Sequence, residues 1–449
     1  MKSNKKLNTL IFILILVVGM LLVVNKSTYL KYKIGVLAQN GRFKIITRNM
    51  ETKKIDNITY YYVNKSDETY INNIKEYITE GEGKIEPLLG QIPLYPLNII
   101  MFATSDAFAQ IFNVNPQKSQ AVTDMDSLYI PCANIDSYIL VHEYTHYKMN
   151  SFYKENGLSI FKIPSWFSEG VAEYASSTLF PEKFKNPKLQ TIQDFRKLDT
   201  AKQMKESELS GRESYMQSYL AVRKITELKG RNSIQQILIN TKSMTFYDAF
   251  EKVVGLSIED FQKLPPTDSV DALLNLGIKY TQQKKFDKSK DTFLETTKKY
   301  PYNELAWLNL GHSYIELGDF DSAIKSREKL IAISEEKTLP YFYYSQLLIT
   351  VDLDKAVSMA EKSAQLAKIE KSDNPKFITN YFLLIKNLKN NIDLDKPFTQ
   401  YVTLIQSEYI YSSMLKIHII NHVLAKYPDL NDEQKRQLIK IKSDLEKQK

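Results

Sequence analysis

The chain has 449 residues, 43% apolar and 25% charged, which is enough for two hydrophobic cores and excludes a disordered or fibrous protein. Its net charge of +8 is concentrated at one end: residues 1–54 hold eleven Lys and Arg against one Glu, so the remainder carries −2 and no basic nucleic-acid-binding domain is expected. A single cysteine, Cys132, excludes an intrachain disulfide and reads as a small buried apolar residue.

At the amino terminus, Lys2, Lys5 and Lys6 precede an unbroken apolar run from Leu10 to Val24. This pattern predicts a cytoplasmic segment over 1–8, a transmembrane signal anchor over 9–25 and a juxtamembrane linker over 26–42, with the rest of the chain outside the membrane. The nearest cleavage-like site, Val36-Leu37-Ala38, is separated from the run by Lys26, Lys31 and Lys33, so the anchor is expected to stay attached. Leu97 to Phe102 reads as an apolar strand and Ser127 to Pro131 as another, with Pro131 suiting an edge or a strand end. An edge strand can pair with an extended peptide of varied sequence.

His142-Glu143-Tyr144-Thr145-His146 follows. Two histidines four apart share one face of a helix and can hold a metal ion, and the glutamate between them reaches the same water. Catalytic zinc usually takes three protein ligands, so a third must come from elsewhere. A metzincin would supply it shortly downstream after a glycine, but Met149 and Phe152 stand there. Further on the chain reads Pro164-Ser165-Trp166-Phe167-Ser168-Glu169-Gly170-Val171-Ala172-Glu173-Tyr174. Pro164 and Ser165 predict a helix start, which sets Glu169 and Glu173 one turn apart on one face, either able to point at the metal.

Over roughly residues 44–264 the chain resembles the gluzincin metallopeptidases, specifically the bacterial peptidase MA-like group, and more loosely the M1 aminopeptidases and bacterial collagenases. The resemblance implies a thermolysin-like α+β domain over 43–264 holding one Zn2+ per chain. It carries the ligand role onto His142, His146 and Glu169, the general-base role onto Glu143, and a place hydrogen-bonding a histidine ring or the helix beside it onto Glu173. It also implies a tyrosine that stabilises the oxyanion, for which Tyr215 in the segment Tyr215-Met216-Gln217-Ser218-Tyr219-Leu220 is the first choice and Tyr219 the second. The G-A-M-E-N signature that anchors a free amino terminus in the M1 enzymes has no counterpart upstream of His142, so aminopeptidase specificity is not expected.

Leu264-Pro265-Pro266-Thr267 breaks the chain, giving a linker over 265–268. Beyond it, Asn275-Leu276-Gly277 with Tyr280, Phe286 and Asp287 recurs as Asn309-Leu310-Gly311 with Tyr314, Phe320 and Asp321, each pair 34 apart, the period of the tetratricopeptide repeat. Gly277 and Gly311 would let paired helices approach, with Tyr280 and Tyr314 filling the space between. Repeats are expected over 269–370, the third around Tyr344 and Ala356 being one residue short, and a degenerate repeat or cap over 371–449. His418 and His422 are again four apart, but no glutamate follows the first and no third ligand is apparent, so they read as packing or surface residues, as does His312.

The expected whole is a membrane-anchored, single-pass zinc metallopeptidase hydrolysing peptide bonds outside the cytoplasmic membrane. An all-α repeat solenoid would recruit a protein partner or substrate, and nucleic acid is not an expected partner. The alternative is a repeat-based binding or scaffold protein with a structural or inactive zinc site.

Overall fold

The computed structural model describes residues 41–112, 121–132, 136–177, 193–207, 211–264, 268–334, 337–369, 374–393 and 397–447. The expected anchor over 9–25 and its flanks up to residue 40 lie outside these residues, as do 265–267 of the expected linker. Among the described residues no helix is long and apolar enough to cross a membrane. Among the described residues the structure is mostly helical with one small sheet, and the chain divides into two compact units, 1–190 and 191–449. That division falls inside the 43–264 span expected for a single zinc domain.

In the first unit, β1 (Glu51–Ile55), β2 (Ile58–Tyr62), β3 (Leu97–Phe102), β4 (Val122–Asp124) and β5 (Ser127–Pro131) form one sheet in the order β1-β2-β3-β5-β4. β2, β3 and β5 run parallel, which requires crossovers; α1 (Ile71–Leu89) joins β2 to β3, and α2 (Ser105–Phe112) lies between β3 and β5. Burial on both faces explains why β3 is nearly all apolar. Ile100, Phe102 and Tyr129 meet Phe108 and Phe112 on one side. Ile99, Met101, Leu128 and Ile130 occupy the opposite pleat and are fully buried.

Of the two places that Pro131 suits, an edge or a strand end, the structure shows the strand end, and the expectation of an edge over Ser127–Pro131 is corrected. β4 pairs antiparallel along it, Val122 opposite Tyr129 and Asp124 opposite Ser127, and is itself the last strand of the sheet. Pro131 is tolerated because it closes β5, opposite the last residue of β3.

α3 (Ser137–Asn156) and α4 (Ser165–Ser177) complete the unit, and α3 packs against α1, α4, β4 and β5. The Asp136 carboxylate caps α3 by accepting from the Tyr138 N–H at 2.9 Å, and Gly157 ends it at φ +63°, a conformation that favours glycine. Gly81 lets α1 come close, since a Cβ there would stand 3.2 Å from Val141. Glu82 ties the same two helices, accepting from the Tyr144 hydroxyl and from Lys148 Nζ at 3.1 Å.

The second unit opens with α5 (Ala201–Glu206), α6 (Gly211–Lys229), α7 (Ser233–Asn240), α8 (Phe246–Val254) and α9 (Ile258–Lys263). Helical hairpins follow: α10 (Asp268–Gln282) with α11 (Phe286–Lys299), α12 (Glu304–Glu316) with α13 (Phe320–Ile333), and α14 (Thr338–Leu348) with α15 (Leu353–Ile369). α11 and α13 begin 34 residues apart, at Phe286 and Phe320, and α15 one short of that period, at Leu353. α16 (Pro375–Asp393), α17 (Phe398–Gln406), α18 (Ser413–Lys426) and α19 (Asp432–Glu446) close the chain.

α6 belongs with the repeats because Arg223 binds Asp271 bidentately at 2.7 and 3.2 Å, and Glu227 accepts from both Arg223 and Asn303. Within the repeats, the close approach at the glycines is filled differently from expectation. A Cβ on Gly277 would meet the Phe293 ring at 2.6 Å, and one on Gly311 the Arg327 guanidinium at 3.1 Å. Tyr314 packs at the rim of the core, while Tyr280 is half-buried with Lys288 Nζ over its ring at 5.8 Å.

Candidate metal centre

α3 carries His142 and His146 one turn apart, their rings edge to face with centroids 4.9 Å apart. α4 starts at Ser165, anchored by the fully buried Trp166 and Phe167, and this places Glu169 opposite the histidine pair. The Nε2 atoms of the histidines lie 3.2 Å apart. Glu169 Oε2 lies 3.2 Å from His142 Nε2 and 3.3 Å from His146 Nε2.

These three atoms form a nearly equilateral triangle with one donor from each residue. A tetrahedral zinc ion with bonds of about 2.0–2.1 Å needs donor atoms about 3.3–3.4 Å apart. The triangle therefore has the edge of such a tetrahedron and leaves the fourth corner for a water or substrate atom. His142, His146 and Glu169 are also the group among the described residues whose donor atoms converge in this way.

Glu173 stands behind His142, its Oε1 3.3 Å from His142 Nδ1 and its Oε2 accepting from the Tyr138 hydroxyl. A carboxylate at Nδ1 fixes the proton there and turns Nε2, with its lone pair, toward the metal position. Charge balance follows from the same contacts. Burial pushes the basicity of His142 down, but Glu169 and Glu173 outweigh it and hold the imidazole well above its ordinary pKa. Burial likewise raises Glu169, yet His146 and His142 outweigh that and keep its carboxyl well below the usual range.

Glu143, half-buried on α3, accepts a hydrogen bond from Thr123 of β4, Oγ1 to Oε2 at 2.6 Å, and the same hydroxyl lies 2.7 Å from the Glu143 carbonyl oxygen. Neither Thr123 nor Tyr138 was singled out from the sequence. Tyr138 could have been found, since it precedes His142 by one helical turn; Thr123 had no signal, because only folding brings β4 to α3.

Tyr215 and Tyr219 lie on α6, in the other compact unit from the ligand set, Tyr219 buried and Tyr215 38% exposed. Cys132 is buried and free, and burial pushes its thiol up to about 12, which suits an apolar residue rather than a thiolate ligand. His418 stacks on Phe320 at 3.7 Å and meets Thr350 Oγ1 at 3.1 Å; His312 lies among the rings of Phe286 and Tyr411.

The family description Tetratricopeptide repeat matches residues 305–337, which are α12 and α13. The chain carries a tetratricopeptide repeat. Repeats of this kind make protein–protein contacts through stacked helical hairpins. The chain is also similar to a protein of Bacillus subtilis (strain 168) named "Uncharacterized protein YhcO", 20% identical over 236 residues, covering 49% of this chain and 71% of that one. A solved structure, "Crystal structure of MamA", aligns at 16% identity over 38% of this chain and 93% of that chain, with a TM-score of 0.24, too low to establish a shared architecture.

Proposed function

We propose that this protein is a zinc-dependent metallopeptidase that hydrolyses peptide bonds, joined to a repeat unit that recruits a protein partner or substrate. The observation that carries the reading is the donor triangle of His142 Nε2, His146 Nε2 and Glu169 Oε2, whose edges of 3.2–3.3 Å fit tetrahedral zinc. Zinc bound there supplies Lewis acidity, lowering the pKa of a water and polarising a carbonyl. Glu143 takes the proton from the attacking water and returns it to the leaving amine. Glu173 and Tyr138 hold His142 in the orientation that presents Nε2. β4, at the sheet edge and bonded to Glu143 through Thr123, offers backbone groups on which an extended peptide can lie beside the base. The lysine-flanked apolar run Leu10–Val24 supports attachment to the membrane with both units outside it.

The second reading is a repeat-based binding or scaffold protein whose metal centre is structural or inactive. The match to a tetratricopeptide repeat favours it, because that match bears on partner binding and not on hydrolysis. Metal content and cleavage of an unstructured protein separate the two. A scaffold binds its partner unchanged after chelation and cuts nothing, whereas the peptidase loses cleavage on chelation and regains it with zinc.

A further inference from the structure

We infer that Thr123 is a positioning residue for the base Glu143, holding its carboxylate in one orientation. The inference rests on the proposed role of Glu143 as base. Strand β4 is only three residues long, and its alternation decides where each side chain goes. Val122 packs with Ile100, Phe102 and Tyr129 on one face of the sheet, so Thr123 faces the other way, onto α3. There its single hydroxyl stands 2.6 Å from Glu143 Oε2 and 2.7 Å from the Glu143 carbonyl oxygen.

One hydroxyl stands at nearly equal reach of two acceptors on the same residue, the carboxylate and the backbone carbonyl, and so ties the side chain of Glu143 to a fixed point on β4. Toward an ionised Glu143, Oγ1–H donates to Oε2 and fixes the rotation of the carboxylate. Among the described strands β4 is the last in the sheet, so Thr123 lies on the strand at that edge.

The test uses the full-length chain loaded with zinc, with Thr123→Val and Thr123→Ser compared for cleavage of labelled casein and for binding of acetohydroxamic acid, a zinc ligand whose hydroxyl an oriented Glu143 carboxylate can hydrogen-bond. The expected result for Val is one zinc per chain, KM within about twofold and kcat lower by about tenfold or more, with weakened hydroxamate binding; Ser stays near wild type in both. Unchanged kcat and hydroxamate affinity in Val overturn the inference, as does equal impairment of Ser and Val, which would mean that the strand and not the hydroxyl matters. If zinc-loaded wild type cuts nothing, hydroxamate binding alone decides the role of Thr123. Failure to bind zinc, or a Glu143→Gln chain that still cuts, sinks the proposed function itself.

Discussion

Glu143, Glu169 and Glu173 are three glutamates within 31 residues, and their environments give them different work. Replacing Glu143 by Gln keeps the side chain's shape and removes its capacity to take a proton. The expected outcome is one zinc per chain with cleavage reduced by about 10²–10⁴-fold, measured by metal analysis and a casein assay. Glu173 acts through His142, so Glu173→Gln is expected to weaken zinc binding by about 10–100-fold while leaving the fold intact, read by competition with a chelating dye. Glu169→Ala removes a ligand and leaves a two-histidine site, and its zinc loss on dialysis should exceed that of Glu173→Gln. The ligand spacing was legible in the sequence because a helix places residues four apart on one face. The choice between Glu169 and Glu173 was open from spacing alone, as one turn separates them. It is the Nδ1 side of His142 that Glu173 meets, and that geometry depends on how α4 crosses α3.

At the level of elements, the 34-residue period was readable because each hairpin repeats one packing problem, and α11 and α13 start at matching residues. What the repeat pattern could not show is which side chain fills each glycine gap. Gly277→Ala is expected to cost about 1–3 kcal/mol, because its Cβ would stand 2.6 Å from the rigid Phe293 ring. Gly311→Ala should cost less, since its neighbour at 3.1 Å is the end of Arg327; chemical denaturation of the two variants checks the order. Helix α6 carries a pH signature as well. Burial pushes Lys224 down to about 8, with Nζ 3.3 Å from the Leu264 carbonyl and over the Phe261 ring. An unfolded lysine titrates near about 10.4. Between these values the unfolded chain binds more protons than the folded one, so this group makes stability rise with pH from about 8 to about 10.4. Lys224→Met should flatten that part of the difference between the two denaturation profiles, and identical slopes would contradict it. The misplaced edge has a local cause too: β4 is only three residues long and too short to announce itself as a strand.

For the whole molecule, the ligand set belongs entirely to residues 1–190, the first of the two compact units. Zinc should therefore raise the temperature of the transition that unfolds the first unit by mass action and leave the melting of the repeat helices nearly unchanged, which calorimetry with and without a chelator resolves. The division at 190 could not be seen in the sequence, where the paired prolines at 265 and 266 are the more visible break. Arg223 and Glu227 on α6 find their partners, Asp271 and Asn303, beyond those prolines, a pairing made only in three dimensions. The central claim concerns hydrolysis, and one comparison tests it most directly. Full-length wild type and Glu143→Gln are each analysed for bound zinc and then incubated with an unstructured protein. The account predicts one zinc in both and cleavage by wild type alone. Equal zinc with cleavage by neither, while partner binding through the repeats persists, would contradict it and leave the scaffold reading standing.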